Sequence, residues 1–319
     1  MGVGAIWIPA TPASTQLVQQ AAHVLGVPAY AVATPPSGPS LKLKPIRIGL
    51  YDQYGGLMPA GWVRWLFDQY EFPYQVVYPK TLDAGDLKQK FDVLVFIDSP
   101  GFGGFSSRGG GGMRCPEIPA DKVPEQYRGW IGEMTQEKTI PQLKAFLADG
   151  GSIGTIGSSV GIAPELGVPV TNYLTEMGPD GHERPLPAEK FYIPGSLMRV
   201  TIDNTDPLAY GMPLTADVDF DSSPVFRLVP ENGVHAHPIA WFAGRETLDS
   251  GWAWGQAYLD GGTAIAEAPV SAGKVYMIGP EVTFRGQPHG TLKFLFNAVY
   301  AGSAAPAGSG SSAVASVGR

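Results

Sequence analysis

Residues 93–97 read Val-Leu-Val-Phe-Ile, apolar at every position. A strand with one face in water alternates polar and apolar side chains, so an unbroken run of this length belongs inside a sheet covered on both faces. Such sheets are parallel, and parallel neighbours need helical crossovers. The flanking sequence supplies them. Residues 46–51 read as a strand, and Trp62, Leu66 and Tyr70 form a helical stripe beside Val63 and Phe67. Residues 75–78 read as a second strand. A helix over 140–147 carries Leu143 and Phe146 at core spacing, and Gly150 and Gly151 end it before a strand at 152–156. Strand, helix, strand order with right-handed crossovers predicts an α/β fold with a doubly wound, mostly parallel sheet, flavodoxin-like in plan.

Residues 170–262 change character. Pro and Gly are frequent, and short β-like runs occur at 197–202, 225–229 and 238–242, which reads as a β-rich elaboration. Regular structure returns at 263–268 and 274–278, before a final helix with Leu292, Leu295, Phe296 and Val299 on one face. At the other end, residues 5–8 and 29–33 read as strands around a helix at 14–25, a small βαβ segment over 1–33. A Pro/Ser/Gly linker follows over 34–45, and the main domain spans 46–300. The Ala/Gly/Ser tail at 301–319 has little to bury and reads as disordered.

Charge excludes one large class of function. The net charge is −7 with no basic run, so the electrostatic footprint of a nucleic-acid binder is missing. No apolar stretch is long enough for a membrane span, and the first residues lack a signal-peptide pattern, so the sequence as written reads as soluble. A single cysteine, Cys115, excludes an intrachain disulfide and a thiolate metal site.

Several phrases are individually weak and jointly specific: residues 48–56 (IGLYDQYGG), 61–65 (GWVRW), 71–74 (EFPY), 203–213 (DNTDPLAYGMP), 251–255 (GWAWG) and 279–285 (GPEVTFR). Together they resemble the C-terminal, class I glutamine amidotransferase-like region of long bacterial zinc carboxypeptidases, over essentially residues 2–300. The resemblance implies an amidotransferase-like fold and a carboxypeptidase catalytic domain as partner, with a peptide-like ligand. It also implies frequent export to the periplasm. It does not carry over a peptidase site. None of His23, His182, His235, His237 and His289 is followed three residues on by Glu, so the His-x-x-Glu zinc unit is absent from this sequence. His235 and His237 alternate on an expected strand and could share a metal with a third ligand, but surface or hydrogen-bonded histidines are the favoured reading, so no metal and no cofactor are expected.

Amidotransferase chemistry needs a nucleophilic Cys on a sharp strand-to-helix turn. The turn of that kind here, residues 154–161 (GTIGSSVG), carries serines, so no glutaminase activity is expected; Cys115 sits instead in a Gly-rich loop. Ser158 or Ser159 with His289, and with Asp98 or Glu281, is the alternative of a stand-alone hydrolase. The competing reading is that both serines cap a helix start. Open α/β sheets bind ligands at the carboxyl ends of their strands, which nominates Asp52, Gln53, Asp98, Glu281 and Arg285. Asp52 and Asp98 can equally cap turns, Glu281 and Arg285 can pair to fix the last helix, and Trp252 and Trp254 can be packing anchors rather than a groove lining. The sequence thus favours a non-catalytic accessory domain that positions a peptide-like substrate or partner, with an interaction or oligomerisation module as a further alternative.

Overall fold

A computed structural model describes residues 4–36, 40–99, 118–229 and 235–306. Cys115 and Gly109 to Gly112 fall outside them, as does the tail beyond Pro306. Two units separate: residues 1–42 with 305–319, and residues 43–304.

In the smaller unit one helix, α1 (Pro12–Leu25), is capped by Thr11, whose hydroxyl accepts from the Ser14 amide while Ser14 Oγ accepts from the Thr11 amide. The strands expected at 5–8 and 29–33 are absent. Ile6, Trp7 and Tyr30 are exposed, and a lone extended segment gains nothing from a ladder it does not have. Leu41–Lys42, inside the expected linker, pairs instead with Ala305–Pro306.

The larger unit holds β1 (Ile48–Tyr51), α2 (Met58–Gln69), β2 (Tyr74–Val77), β3 (Val93–Ile97), α3 (Thr139–Ala148) and β4 (Ser152–Ile156). Then come β5 (Pro194–Ile202), β6 (Thr215–Asp221), β7 (His237–Trp241), β8 (Thr263–Val270), β9 (Gly273–Ile278) and α4 (Leu292–Ala301). The sheet runs β6-β5-β7-β8-β9-β4-β3-β1-β2. From β9 to β2 every pairing is parallel. From β6 to β9 every pairing is antiparallel. The β-rich stretch therefore extends the same sheet rather than forming a separate layer.

The apolar run at 93–97 is buried on both faces, as its composition requires. Val93, Val95 and Ile97 join one core with Val63 and Phe67 of α2 and Phe294 and Leu295 of α4. Leu94 and Phe96 join the other with Leu143 and Phe146 of α3. Helices on both faces of a parallel half-sheet make the fold a mixed, doubly wound α/β one. No helix among the described residues is long and apolar enough to cross a membrane.

The tail expectation needs revising at its start. Ser152 Oγ donates to Gly302 O at 2.9 Å, and Ser303 is buried, so the chain still packs for several residues beyond Tyr300.

Asp92, at the foot of β3, ties this half together. It is buried and accepts from Arg47 Nε and Nη2 at 3.0 Å each and from Lys88 Nζ at 3.2 Å. Burial alone would raise its pKa, but the hydrogen bonds from Arg47 and Lys88 outweigh burial and hold the carboxyl well below the usual range. A depressed carboxyl stabilises the fold above its unfolded pKa, about 3.9, and that contribution is lost as the pH falls through the folded value. Asp92→Asn should cost about 2 kcal/mol at pH 7 and much less near pH 2. Urea unfolding at the two pH values checks this; an equal cost at both would show that charge is not the cause.

Candidate functional site

The carboxyl end of β3 and the segment that follows β9 line a cleft of about 630 Å³, together with the start of α2, the start of β5 and the end of β6. Its polar lining is dominated by Asp219, Asp221 and Glu281, with Arg285 on the rim; Met58, Trp62 and Phe284 supply apolar wall. Each side chain is placed by an identifiable local device. In residues 217–221 (DVDFD) Val218 and Phe220 are buried in the core, so the period of two turns the aspartates to the opposite face. A register shift between Phe220 and Asp221 then bends the strand end. Glu281 follows β9 and is fixed by its amide, which donates to Asp219 O at 3.1 Å. Thr291 Oγ1 donates to Val282 O at 2.9 Å and pins the rest of that loop.

Crowded carboxyls in a partly closed cleft resist ionisation. Burial, then the charges of Asp98, Asp219 and Asp221, push Glu281 up to about 8, with Arg285 opposing. Burial, then Asp221, push Asp219 up to about 6, again against Arg285. Asp98 is raised by burial, an effect that contacts from Ser158 oppose and Asp221 adds to. At neutral pH Glu281 therefore holds its proton while Asp219 is largely ionised.

The backbone is strained at the same place. Asp98 (φ 42°), Ser222 (φ 50°) and Arg285 (φ 49°) are all left-handed without being glycine. Such residues cost about 1–3 kcal/mol each and gather where a site demands an exact aim.

Gly157 occupies the sharp turn after β4, with φ 60°. A Cβ there would fall 2.1 Å from Asp98 Oδ1. The strained position where a strand-to-helix turn would present a nucleophile is therefore a glycine with no room for a side chain. The serines expected at this turn are placed otherwise. Ser159 is buried, with its hydroxyl 2.8 Å from Ser99 Oγ and accepting from the Ser99 amide at 2.8 Å. The Ser158 amide donates to Asp98 Oδ1 at 2.8 Å. His289 is exposed, and among the described residues no hydrogen bond joins it to either serine. The hydrolase grouping of Ser158 or Ser159 with His289 is thus not assembled.

The remaining sequence candidates divide. Glu281 and Arg285 line the cleft; Asp98 does not, but its charge raises the Glu281 pKa. Among the described residues no ion pair within 4.0 Å joins Glu281 to Arg285: the guanidinium lies over the Phe284 ring at 4.9 Å and only opposes the rise in the Glu281 pKa, which corrects the expected architectural pairing. Asp52 Oδ1 accepts from the Gln53 and Leu57 amides at 2.8 Å each, and Oδ2 lies 3.5 Å from Arg64 Nη1. Asp52 and Gln53 therefore shape the loop into α2 and do not line the cleft. Trp254 Nε1 donates to Glu189 O at 2.7 Å, and the Trp252 backbone bonds Ser196 Oγ through both N–H and C=O; both rings are exposed and outside the cleft.

Sequence reasoning missed Asp219 and Asp221, for which the alternating aspartates of residues 217–221 were the available signal. It also missed that His237 meets Asp206 and Glu267, residues too far apart in the chain for any ligand spacing to show.

Comparison with known proteins adds only distant likenesses. No family profile matches the sequence, and no curated protein does. Among solved structures, the chain is similar to a cytoplasmic protein of Salmonella typhimurium (12% identity, TM-score 0.42, 80% of this chain and 97% of that one). It is also similar to a GMP synthase-like protein from Thermoplasma acidophilum (12%, TM-score 0.45, 80% and 93%). A ThuA-like protein of Bacteroides uniformis is a third (10%, TM-score 0.43, 86% and 94%). At these values the likenesses carry no inference about what the cleft does.

Proposed function

We propose that this chain is a non-catalytic binding domain on an amidotransferase-like scaffold that serves a zinc carboxypeptidase unit. In this reading it holds the cationic group of a peptide-like ligand in the acidic cleft. The carboxypeptidase association rests on the sequence phrases alone. What favours binding over amidotransferase catalysis is the turn after β4, where Gly157 leaves no space for a nucleophile beside Asp98. What favours a cation is the lining: Asp219, Asp221 and Glu281 face one rim guanidinium, Arg285.

The test is calorimetric titration with a lysyl dipeptide amide and with its fully acetylated form. The free amine form should bind, and acetylation should cost tenfold or more. Asp219→Asn should weaken binding by a similar factor. Arg285→Ala should strengthen it, by removing a competing cation. Equal binding of the two ligands, or loss of binding in Arg285→Ala, would defeat the proposal.

A further inference from the structure

A second polar cluster lies on the antiparallel half of the sheet, built from residues outside the acidic cleft. His237 on β7 is in register with Glu267 on β8, and Glu267 with Tyr276 on β9. Directly paired residues project from the same face, so the three form a row across adjacent strands. Asp206 closes over the row. Its Oδ1 accepts from the Leu208 amide at 2.8 Å, which aims Oδ2 at His237 Nε2, 3.1 Å away. Glu267 Oε1 lies 3.6 Å from the same nitrogen. One donor atom from each of Asp206, His237 and Glu267 falls within 4.8 Å of the other two.

An ordinary ion-paired cluster would use its buried acceptors. This one does not. Lys274 Nζ donates to Glu267 Oε1 at 2.9 Å, but Glu267 Oε2 is buried without a hydrogen-bond partner among the described residues. Glu267 as a whole is only 5% exposed. The Tyr276 hydroxyl is likewise buried and unpartnered among the described residues, on a residue 0% exposed. Buried polar atoms left without partners are rare in folded proteins, and two beside one imidazole–carboxylate group ask for an explanation. A cation bound by the Glu267 carboxylate would supply it, and that carboxylate already lies beside the imidazole, with Oε1 3.6 Å from His237 Nε2.

We infer that Asp206, His237 and Glu267 form a binding site for a divalent transition-metal ion such as Zn²⁺. An imidazole with two carboxylates suits borderline ions better than Mg²⁺ or Ca²⁺, which prefer oxygen alone. The present spacings of 3.1 and 3.6 Å around Nε2 are close to the separations of ligands that share one small ion. Three protein ligands leave a coordination position open, and the His237 side chain, 44% exposed, gives it access to solvent. The Asp206 contact orients the imidazole before an ion arrives, and Lys274 offsets one of the two negative charges. This reverses the sequence-based expectation of no metal, which rested on the absence of a local histidine motif.

The experiment is titration of the tag-free, metal-stripped chain with zinc chloride by calorimetry, repeated with Co²⁺ read by visible absorption. The expected result is one ion per chain, with Co²⁺ bands in the range of a four- or five-coordinate site. His237→Ala should weaken binding at least tenfold while keeping its melting temperature without metal. His235→Ala, which changes the exposed neighbouring histidine, should bind as the parent does. Asp206→Asn retains an acceptor for the Leu208 amide and should also lose affinity, which guards against misfolding of the alanine variant. Absence of saturable binding, or unchanged binding in both His237→Ala and Asp206→Asn, would overturn the assignment.

Discussion

Gly157→Ala should destabilise the larger unit by about 3–4 kcal/mol. Two costs add at this position. A φ of 60° is strained for any residue with a Cβ. The new methyl would also stand 2.1 Å from Asp98 Oδ1, so the carboxyl must move and give up the Ser158 amide it now accepts from. Asp98 has little freedom to move, because it is itself left-handed and its amide is bonded to Ile156 O at 3.1 Å. Gly157→Cys should fail in the same way and should release no ammonia from glutamine, although it restores the residue type the turn lacks. Equilibrium urea unfolding measures the first effect. A cost below about 1 kcal/mol would mean that the turn has room, and the argument against a nucleophile there would fail.

The second large effect is a dependence of stability on pH that arises in the cleft. Glu281 has a folded pKa of about 8, and an unfolded glutamate titrates near 4.3. A carboxyl whose pKa is raised by folding favours the folded state most below its unfolded value, and that contribution is lost as the pH rises through the folded value. Asp219, at about 6, adds an earlier step of the same sign. Stability should therefore fall between pH 5 and pH 9. The part due to Glu281 is about 2 kcal/mol, less than the full shift implies because the cleft opens to water. Glu281→Gln keeps the shape and cannot ionise, so its melting temperature should exceed that of the parent at pH 9 and match it near pH 5. Parallel curves for parent and variant would remove Glu281 as the source.

Much of the fold was legible because its signals are local and periodic. The run at 93–97 announced a strand buried on both faces. The helix expected from Trp62, Leu66 and Tyr70 beside Val63 and Phe67 is present, but it buries Val63, Leu66 and Phe67 and leaves Tyr70 exposed. The first 33 residues misled because apolar runs such as 5–8 look like strands whether or not a partner exists to pair with them. Of the residues that line the cleft, the strand-end rule nominated Glu281 and Arg285, which follow a strand of the parallel half. It could not find Asp219 and Asp221, which reach the cleft from an antiparallel strand. Nor could it tell that Asp52, at a strand end like the others, turns its oxygens into its own loop. That distinction depends on Leu57 and Arg64, and only the folded chain brings them to it.

The central claim is that the cleft takes a cation, and proton counting tests it most directly. When a lysyl dipeptide amide binds beside Glu281, its charge should lower the Glu281 pKa and expel the proton that the carboxyl holds at pH 7. Calorimetry in buffers of different ionisation enthalpy should then show net proton release, approaching one per ligand at pH 7. Affinity should rise as the pH goes from 7 to 9, and both effects should vanish in Glu281→Gln. Proton uptake on binding of the lysyl dipeptide amide, or binding of its neutral acetylated form as tight as that of the free amine, would contradict the account.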